Sequence, residues 1–243
     1  MITLFVPVYN EEKNLIEFIK KLNIFLLKNK IFTVLFINDG SNDNTKKILD
    51  DYKNFFDEEN YSKIKIHHFS ENKGVGCAFK KAIELANTAF LFFLPSDNDI
   101  SFKDIATLKD YLNINLTMLF PINIEKYSNM RYLLSMIFRT MYCFIFNVKA
   151  NYIQSPCLYK ISDIKKIKLI SNRFSIWPEI NVKLLRSKIS YNEIPVKFNN
   201  KSIIDRSLSL KNIFEVFFNL IRLVIDIYFL NKEKYKHKAK KIY

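Results

Sequence analysis

Thr88-Ala89-Phe90-Leu91-Phe92-Phe93-Leu94-Pro95-Ser96-Asp97-Asn98-Asp99 is the stretch on which the reading of this chain turns. Its first seven residues form an apolar, strand-like run, a Pro-Ser step ends the run, and two carboxylates follow two residues apart. At the end of a strand, Asp97 and Asp99 can converge on a divalent metal. Hard cations such as Mg²⁺ or Mn²⁺ take oxygen ligands and bridge readily to a diphosphate. An Asp-x-Asp triplet is equally an ordinary acidic turn or helix cap, so its meaning depends on the three runs that precede it.

The first of these is Ile2–Val8, a continuous apolar run followed by Tyr9-Asn10-Glu11-Glu12. Leu15, Ile16, Ile19, Leu22 and Leu26 then recur at helical spacing. Asn10 is the predicted N-cap of this helix, with Glu11 and Glu12 at the positive end of its dipole. Residues 32–37 form the second strand and lead into Asn38-Asp39-Gly40-Ser41. Asn42-Asp43-Asn44-Thr45 then opens a second helix, and Glu12, Asp43 and Asn44 read mainly as helix-start residues. Residues 64–69 form the third strand, running into Asn72-Lys73-Gly74-Val75-Gly76 and a helix over 77–87.

Four strands thus end in polar loops, and the first three loops each open a helix. That rhythm predicts an α/β fold with a largely parallel sheet and its loops gathered on one edge, where open α/β sheets bind ligands. The chain has three glycines, all in these loops. Glycine permits positive φ and close backbone approach, so this confinement points to a ligand site. Gly74 and Gly76 at a helix start are expected to present amides to a phosphate, with Lys73 nearby.

Val6-Pro7-Val8-Tyr9-Asn10-Glu11-Glu12, Asn38-Asp39-Gly40-Ser41, Asn72-Lys73-Gly74-x-Gly76 and Asp97-x-Asp99 together resemble the ordered motifs of family-2 glycosyltransferases with the GT-A fold. The branch most similar is the dolichyl-phosphate mannose synthase-like enzymes. Each motif is weak alone; four in order over about 100 residues are specific. The resemblance implies a mostly parallel, mixed central sheet flanked by helices. It implies a pocket in which Pro7, Tyr9 and Glu11 line base and ribose, Asp39 reads the base edge or ribose, and Lys73 and Gly74 sit on the ribose and phosphate side. Asp97 and Asp99 would hold Mg²⁺ or Mn²⁺ against the diphosphate. Core packing is the other reading of Tyr9, and helix capping the other reading of Glu11 and Asp39.

The resemblance continues through Asn129-x-Arg131-x-x-x-Ser135, Trp177-Pro178-Glu179 and Tyr191-Asn192-Glu193-Ile194-Pro195-Val196. Glu179 falls at an acidic position near the family's reaction centre. It is either a general base for a hydroxyl acceptor or a structural partner of buried backbone; a lipid phosphate acceptor, already anionic, needs no strong base. Relatives often carry an Arg followed by Gly-x-Ser after the Pro195-like strand. Here residues 199–207 read NNKSIIDRS, without glycine, so Lys201 and Arg206 are the candidates for a cation facing the acceptor phosphate. An acidic residue found in many relatives is missing from residues 151–156. These departures leave the acceptor open.

Two apolar segments bear on membranes. Residues 132–148 carry Ser135 and Arg139, which with Arg131 fall on one helical stripe. Residues 213–230 are apolar except for Glu215, Asn219, Arg222 and Asp226, again one stripe. A charge at mid-membrane costs about 2.5–3.5 kcal/mol on insertion scales, so neither is a good spanning helix. Both are expected to lie in a membrane interface or to pack against core. Residues 231–243 hold six lysines against Glu233, and such a run beside an amphipathic helix is attracted to anionic lipid. A basic tail with no partner is the alternative.

With 243 residues, 49% of them hydrophobic, the chain can bury a sizeable core. The expected division is a donor half over 1–120, an acceptor half of the same domain over 121–209, and an amphipathic helix with basic tail over 210–243. A net charge of +14 fits an anionic partner. Three unclustered cysteines argue for reduced thiols, and Met1 leads straight into the first strand, so a cytoplasmic protein peripheral on the inner membrane face is expected.

The expected activity is transfer of a sugar from a UDP- or GDP-linked donor to a polyprenyl phosphate or other lipid-linked or polysaccharide acceptor, with the inversion of configuration that the family resemblance implies. A sugar nucleotidyltransferase is disfavoured, because no glycine-rich basic loop follows the first strand. A catalytically inactive, membrane-associated relative is the other alternative. A nucleic-acid-binding protein is disfavoured because the basic residues are scattered and no recognition motif is present.

Overall fold

Ile2–Val8 (β1), Phe32–Asn38 (β2), Ile64–His68 (β3) and Phe90–Phe93 (β4) lie side by side in the order β3-β2-β1-β4, all parallel. The structure, a computed structural model, describes residues 1–96, 100–122, 129–197 and 210–242. Side chains alternate between the two faces of these strands, as the pleat requires. Leu4 and Val6 enter one apolar cluster, and Phe5 enters the other. Because both faces are covered, β1, β2 and β4 read as largely apolar runs, whereas β3, at the sheet edge, carries Lys65, His67 and His68.

One face is covered by Leu15–Lys28 (α1), which buries Leu15, Phe18, Ile19, Leu22, Phe25 and Leu26. Thr45–Asp50 (α2) follows β2, and Val75–Leu85 (α3) follows β3, packing Phe79 and Ala82 on the opposite face. The short helix Phe102–Ala106 (α4) is capped by Ser101, whose hydroxyl accepts from the amides of Lys103 and Asp104.

The sheet continues without a break through Leu116–Pro121 (β5), Cys157–Lys160 (β6), Ser190–Val196 (β7) and the short Lys240–Lys241 (β8), in the overall order β3-β2-β1-β4-β6-β5-β7-β8. Strand β6 runs antiparallel to both β4 and β5, which makes the sheet mixed. Asn129–Phe146 (α5), Ile161–Ile164 (α6) and Ile176–Leu185 (α7) fill the second half. Leu210–Ile225 (α8) ends in a π-helical turn, Asp226–Leu230.

Residues 231–242 are not the partnerless basic tail that the composition left as the alternative. Tyr235 is buried, and Lys240–Lys241 (β8) pairs parallel with β7. Lys241 bonds Glu193 at 2.6 Å, Lys238 bonds Asn147 at 3.0 Å, and Lys234 reaches the Lys166 carbonyl. Extended backbone beside the open edge of β7 finds ladder partners there, which composition alone does not reveal.

The three cysteines are unpaired thiols. Complete burial pushes the Cys157 thiol up to about 12. Among the described residues, no helix is long and apolar enough to cross a membrane.

Candidate active site

The ends of β1, β2 and β4 open on one edge of the sheet, and a cleft of about 250 Å³ lies there. Pro7 and Val8 line it from the end of β1, and Tyr9, Glu11 and Asp39 from the loops after β1 and β2. Val75, Phe93, Pro95, Ser96 and Phe174 complete the wall. Of the residues singled out in the sequence, Pro7, Tyr9, Glu11 and Asp39 come together here.

The loops after β1 and β2 are stitched by side chains accepting from backbone. Ser41 Oγ accepts from the Asn10 amide at 3.0 Å, Thr45 Oγ1 from Glu11 at 2.8 Å, and Asp43 from Glu12 at 3.1 Å. In return, Asn10 Oδ1 accepts from the Asn42 amide and Glu12 from the Asn44 amide. Asn10 is therefore not the predicted N-cap. It takes positive φ (55°) to face the second loop, and α1 starts only at Leu15. Asparagine tolerates this left-handed conformation better than most residues. The result is a fixed mouth that presents Tyr9 and Glu11.

Asp39 is buried, and both its oxygens accept from the glycine loop: the Lys73 amide at 2.8 Å and the Gly74 amide at 2.9 Å. The helix start beyond it is also occupied. The Gly76 and Cys77 amides donate to the Asn172 carbonyl at 2.9 and 3.2 Å. The expected phosphate cradle of free amides is thus corrected: these donors serve the protein's own loops. Gly74 has φ +91°, and a Cβ there would lie 2.6 Å from the Asn172 oxygen, so glycine is needed for internal packing. The Lys73 ammonium lies 5.3 Å from the centre of the Phe69 ring.

Glu179 is not among the residues lining the cleft. It is buried, and its carboxylate accepts from the Ile170 and Ser171 amides at 2.8 Å each and from Lys183 at 2.7 Å. Of the two roles open to it in the sequence, this geometry is that of a partner for buried backbone. Burial and the nearby Glu179 charge push the Tyr142 phenol well above its ordinary range.

Asp97, Asp99, Lys201 and Arg206 lie outside the described residues. Pro95 and Ser96 line the cleft, so the chain enters the acidic triplet directly from the cleft wall. Carboxylate oxygens suit Mg²⁺ or Mn²⁺, and the donor chemistry of the triplet therefore fits such an ion. Among the described residues, no three His, Cys, Asp or Glu side chains form a metal-ligating group.

Phe174 and Val75 went unnoticed in the sequence. Phe174 lies in the connection before α7, where no periodic or motif signal marks it; Val75 sits inside the glycine motif and could have been found there.

A mostly parallel sheet with a polar and aromatic cleft at the carboxyl edge of its strands defines an open α/β protein of the ligand-binding kind. The chain belongs to glycosyltransferase family 2: the model described as Glycosyl transferase family 2 matches residues 3–167. A curated relative, the dolichyl-phosphate beta-glucosyltransferase of Dictyostelium discoideum, is 28% identical over 118 residues. That match takes in 46% of this chain and 35% of the relative, so the chain spans about a third of the relative's length.

Among solved structures, mannosyl-3-phosphoglycerate synthase from Rubrobacter xylanophilus superposes with a TM-score of 0.71 at 9% identity, covering 96% of this chain and 75% of that one. Glucosyl-3-phosphoglycerate synthase from Mycobacterium tuberculosis, solved with Mn²⁺, UDP and glucosyl-3-phosphoglycerate, gives 0.61 at 11% identity over 93% and 79%. TarS residues 1–349 from S. aureus, solved with UDP-GlcNAc, gives 0.56 at 17% identity over 93% and 66%. The fold is that of the GT-A glycosyltransferases.

Proposed function

We propose that the chain is a metal-dependent, inverting glycosyltransferase that moves a sugar from a UDP- or GDP-linked donor to a polyprenyl phosphate or another lipid-linked or polysaccharide acceptor. It would work as a peripheral protein on the cytoplasmic face of a membrane. Residues 1–120 would form the donor half, 121–209 the acceptor half, and 210–243 the membrane-associated part.

One observation carries this reading: Pro7, Tyr9, Glu11 and Asp39 converge on a cleft whose wall, Pro95-Ser96, runs into Asp97-Asn98-Asp99. In this reading Tyr9, exposed at the mouth, offers a ring face to the base, and Glu11 offers carboxylate oxygens to the ribose. Asp39 reads base or ribose from a position fixed by the Lys73 and Gly74 amides. Mg²⁺ or Mn²⁺ held by Asp97 and Asp99 would supply positive charge beside the departing diphosphate. The acceptor oxygen bonds to the anomeric carbon as the bond to the diphosphate oxygen breaks on the opposite face, which inverts the configuration.

The enclosure of Glu179 by two amides and Lys183 favours an acceptor that needs no proton removed, and a phosphate oxygen meets that condition. The name of the Dictyostelium relative supports a lipid phosphate, and the Mn²⁺ and UDP held by the M. tuberculosis neighbour support the metal and the base. Lys201 and Arg206 remain the candidates for facing the acceptor phosphate.

Calorimetric titration with UDP, GDP, dTDP and CMP, with and without Mn²⁺, tests the donor site. One diphosphate is expected to bind, and only with the metal. A folded protein that binds none of the four is not a transferase of this kind.

The membrane contact is supported by the faces that α5 and α8 leave uncovered. Leu220, Leu223 and Ile227 pack inward, while Phe217, Phe218, Ile221 and Ile225 point outward. On α5, Ile137 and Phe144 are exposed beside an apolar groove formed with Met136, Thr140 and Met141. The polar stripe expected on α8 is split: Asp226 is buried, whereas Arg222 is exposed. Lys232, Lys234 and Lys236 follow immediately and remain exposed.

Sedimentation with phosphatidylglycerol vesicles is expected to capture the protein. A burying aromatic or aliphatic side chain contributes about 1.5–3 kcal/mol, so F217S/I221S should weaken capture by more than about tenfold. Capture unaffected by that change would rule out α8 as the contact.

A further inference from the structure

Behind the loop over residues 168–174, two carboxylates and one ammonium meet in the interior. Lys183, fully buried on α7, donates to Glu179 at 2.7 Å, to Asp226 at 2.7 Å and to the Lys168 carbonyl at 2.6 Å. An ammonium has three hydrogens, and all three are used. Glu179 also accepts from the Ile170 and Ser171 amides. Asp226, in the π-helical turn after α8, is in turn held by the Asn231 side chain at 2.6 Å.

The same loop then reaches the cleft. The Asn172 carbonyl takes the Gly76 and Cys77 amides at the start of α3, and Phe174 lines the cleft wall. A second tie runs from Arg173 to Glu215 near the start of α8, at 3.8 Å. Thus Glu215 of α8 lies beside Arg173 of the loop, and Asp226, in the turn that follows α8, reaches the loop through Lys183, while the outer face of α8 is apolar and exposed beside a run of lysines.

We propose that Lys183 is a positioning residue tying α8 to the loop that walls the cleft, so that docking of α8 on an anionic lipid surface and occupancy of the cleft by a nucleotide diphosphate are coupled. This rests on the reading of the cleft as a donor site. Such coupling is reciprocal: nucleotide that orders the loop orders the Asp226 turn, and lipid that holds α8 favours the loop position that accepts nucleotide. Neither carboxylate can leave Lys183 cheaply, because an unpaired buried charge is costly; the loop and the turn therefore move together.

Hydrogen exchange of the intact chain, with Mn²⁺ and whichever of UDP or GDP binds, reads this directly. Exchange is expected to slow about tenfold both in 168–177 and in 226–231, with α1 unchanged, and phosphatidylglycerol vesicles should tighten nucleotide binding by a similar factor. In Asp226→Ala, which removes the oxygens that Lys183 and Asn231 reach and leaves the Lys183–Glu179 pair charge-balanced, nucleotide should still protect 168–177, while 226–231 and the vesicle effect are lost. Protection of 168–177 without 226–231 in the intact chain overturns the coupling and leaves the donor site standing. So does nucleotide affinity that vesicles do not change. Failure of the intact chain to bind either nucleotide removes the donor-site reading, and the proposal with it.

Discussion

Alanine at Asp97 is expected to abolish Mn²⁺-dependent nucleotide binding and to cut sugar transfer by at least about 100-fold, the loss seen when one preorganised stabiliser of transition-state charge is removed. The physical ground is the charge that appears on the diphosphate as the sugar leaves. A cation beside it is worth far more in a cleft than in water, because fixed charge there is not screened. Asp99→Ala should behave alike, since in the proposed site both carboxylates would hold the same ion. Asp110→Ala removes the same charge from an exposed position of the 3-10 helix Thr107–Tyr111 and should change neither binding nor transfer. Calorimetry with Mn²⁺ separates the outcomes. If Asp97→Ala keeps full metal-dependent affinity with the fold intact, the triplet is an acidic turn and the metal site lies elsewhere.

The sheet was legible in the sequence because parallel strands covered on both faces are apolar nearly throughout, and 2–8 and 32–37 read that way, while the edge strand 64–68 mixes isoleucine with Lys65, His67 and His68. Cleft residues Pro7, Tyr9, Glu11 and Asp39 could be named because the motifs that carry them, at the end of β1 and just after β2, resemble those of a known family. What failed was whatever depends on contacts between distant segments. Asn10 reads as a cap until the 41–45 loop is placed against it. The helix-start glycines read as a phosphate cradle until Asn172 takes their amides. The stripe on α8 carries Asp226, but nothing in the 213–230 periodicity says that its partner is a lysine on another helix. Glu179 and Lys183 stand at i, i+4, but a surface pair has the same spacing. Burial distinguishes the two, and burial is a property of the fold.

That distinction sets the second large effect, on stability. Lys183→Met is expected to destabilise the protein by about 3–5 kcal/mol, because it strands two carboxylates in the interior with no cation between them. Against a total of about 5–15 kcal/mol, this is a large fraction and should appear as a lower denaturation midpoint in urea. The loss belongs to the stranded charges more than to the missing attraction. Neutralising all three together, as E179Q/K183M/D226N, should therefore recover most of it, since a buried ion triad replaced by neutral groups is often no less stable than the original. Glutamine at 179 can still accept from one of the two loop amides, which explains why recovery should fall short of complete. Lys21→Met breaks the exposed Lys21–Glu17 pair at the same i, i+4 spacing and should leave the midpoint almost unmoved. If Lys183→Met is as stable as the parent, both carboxylates have reached water or a proton, and the loop over 168–174 is not held through them.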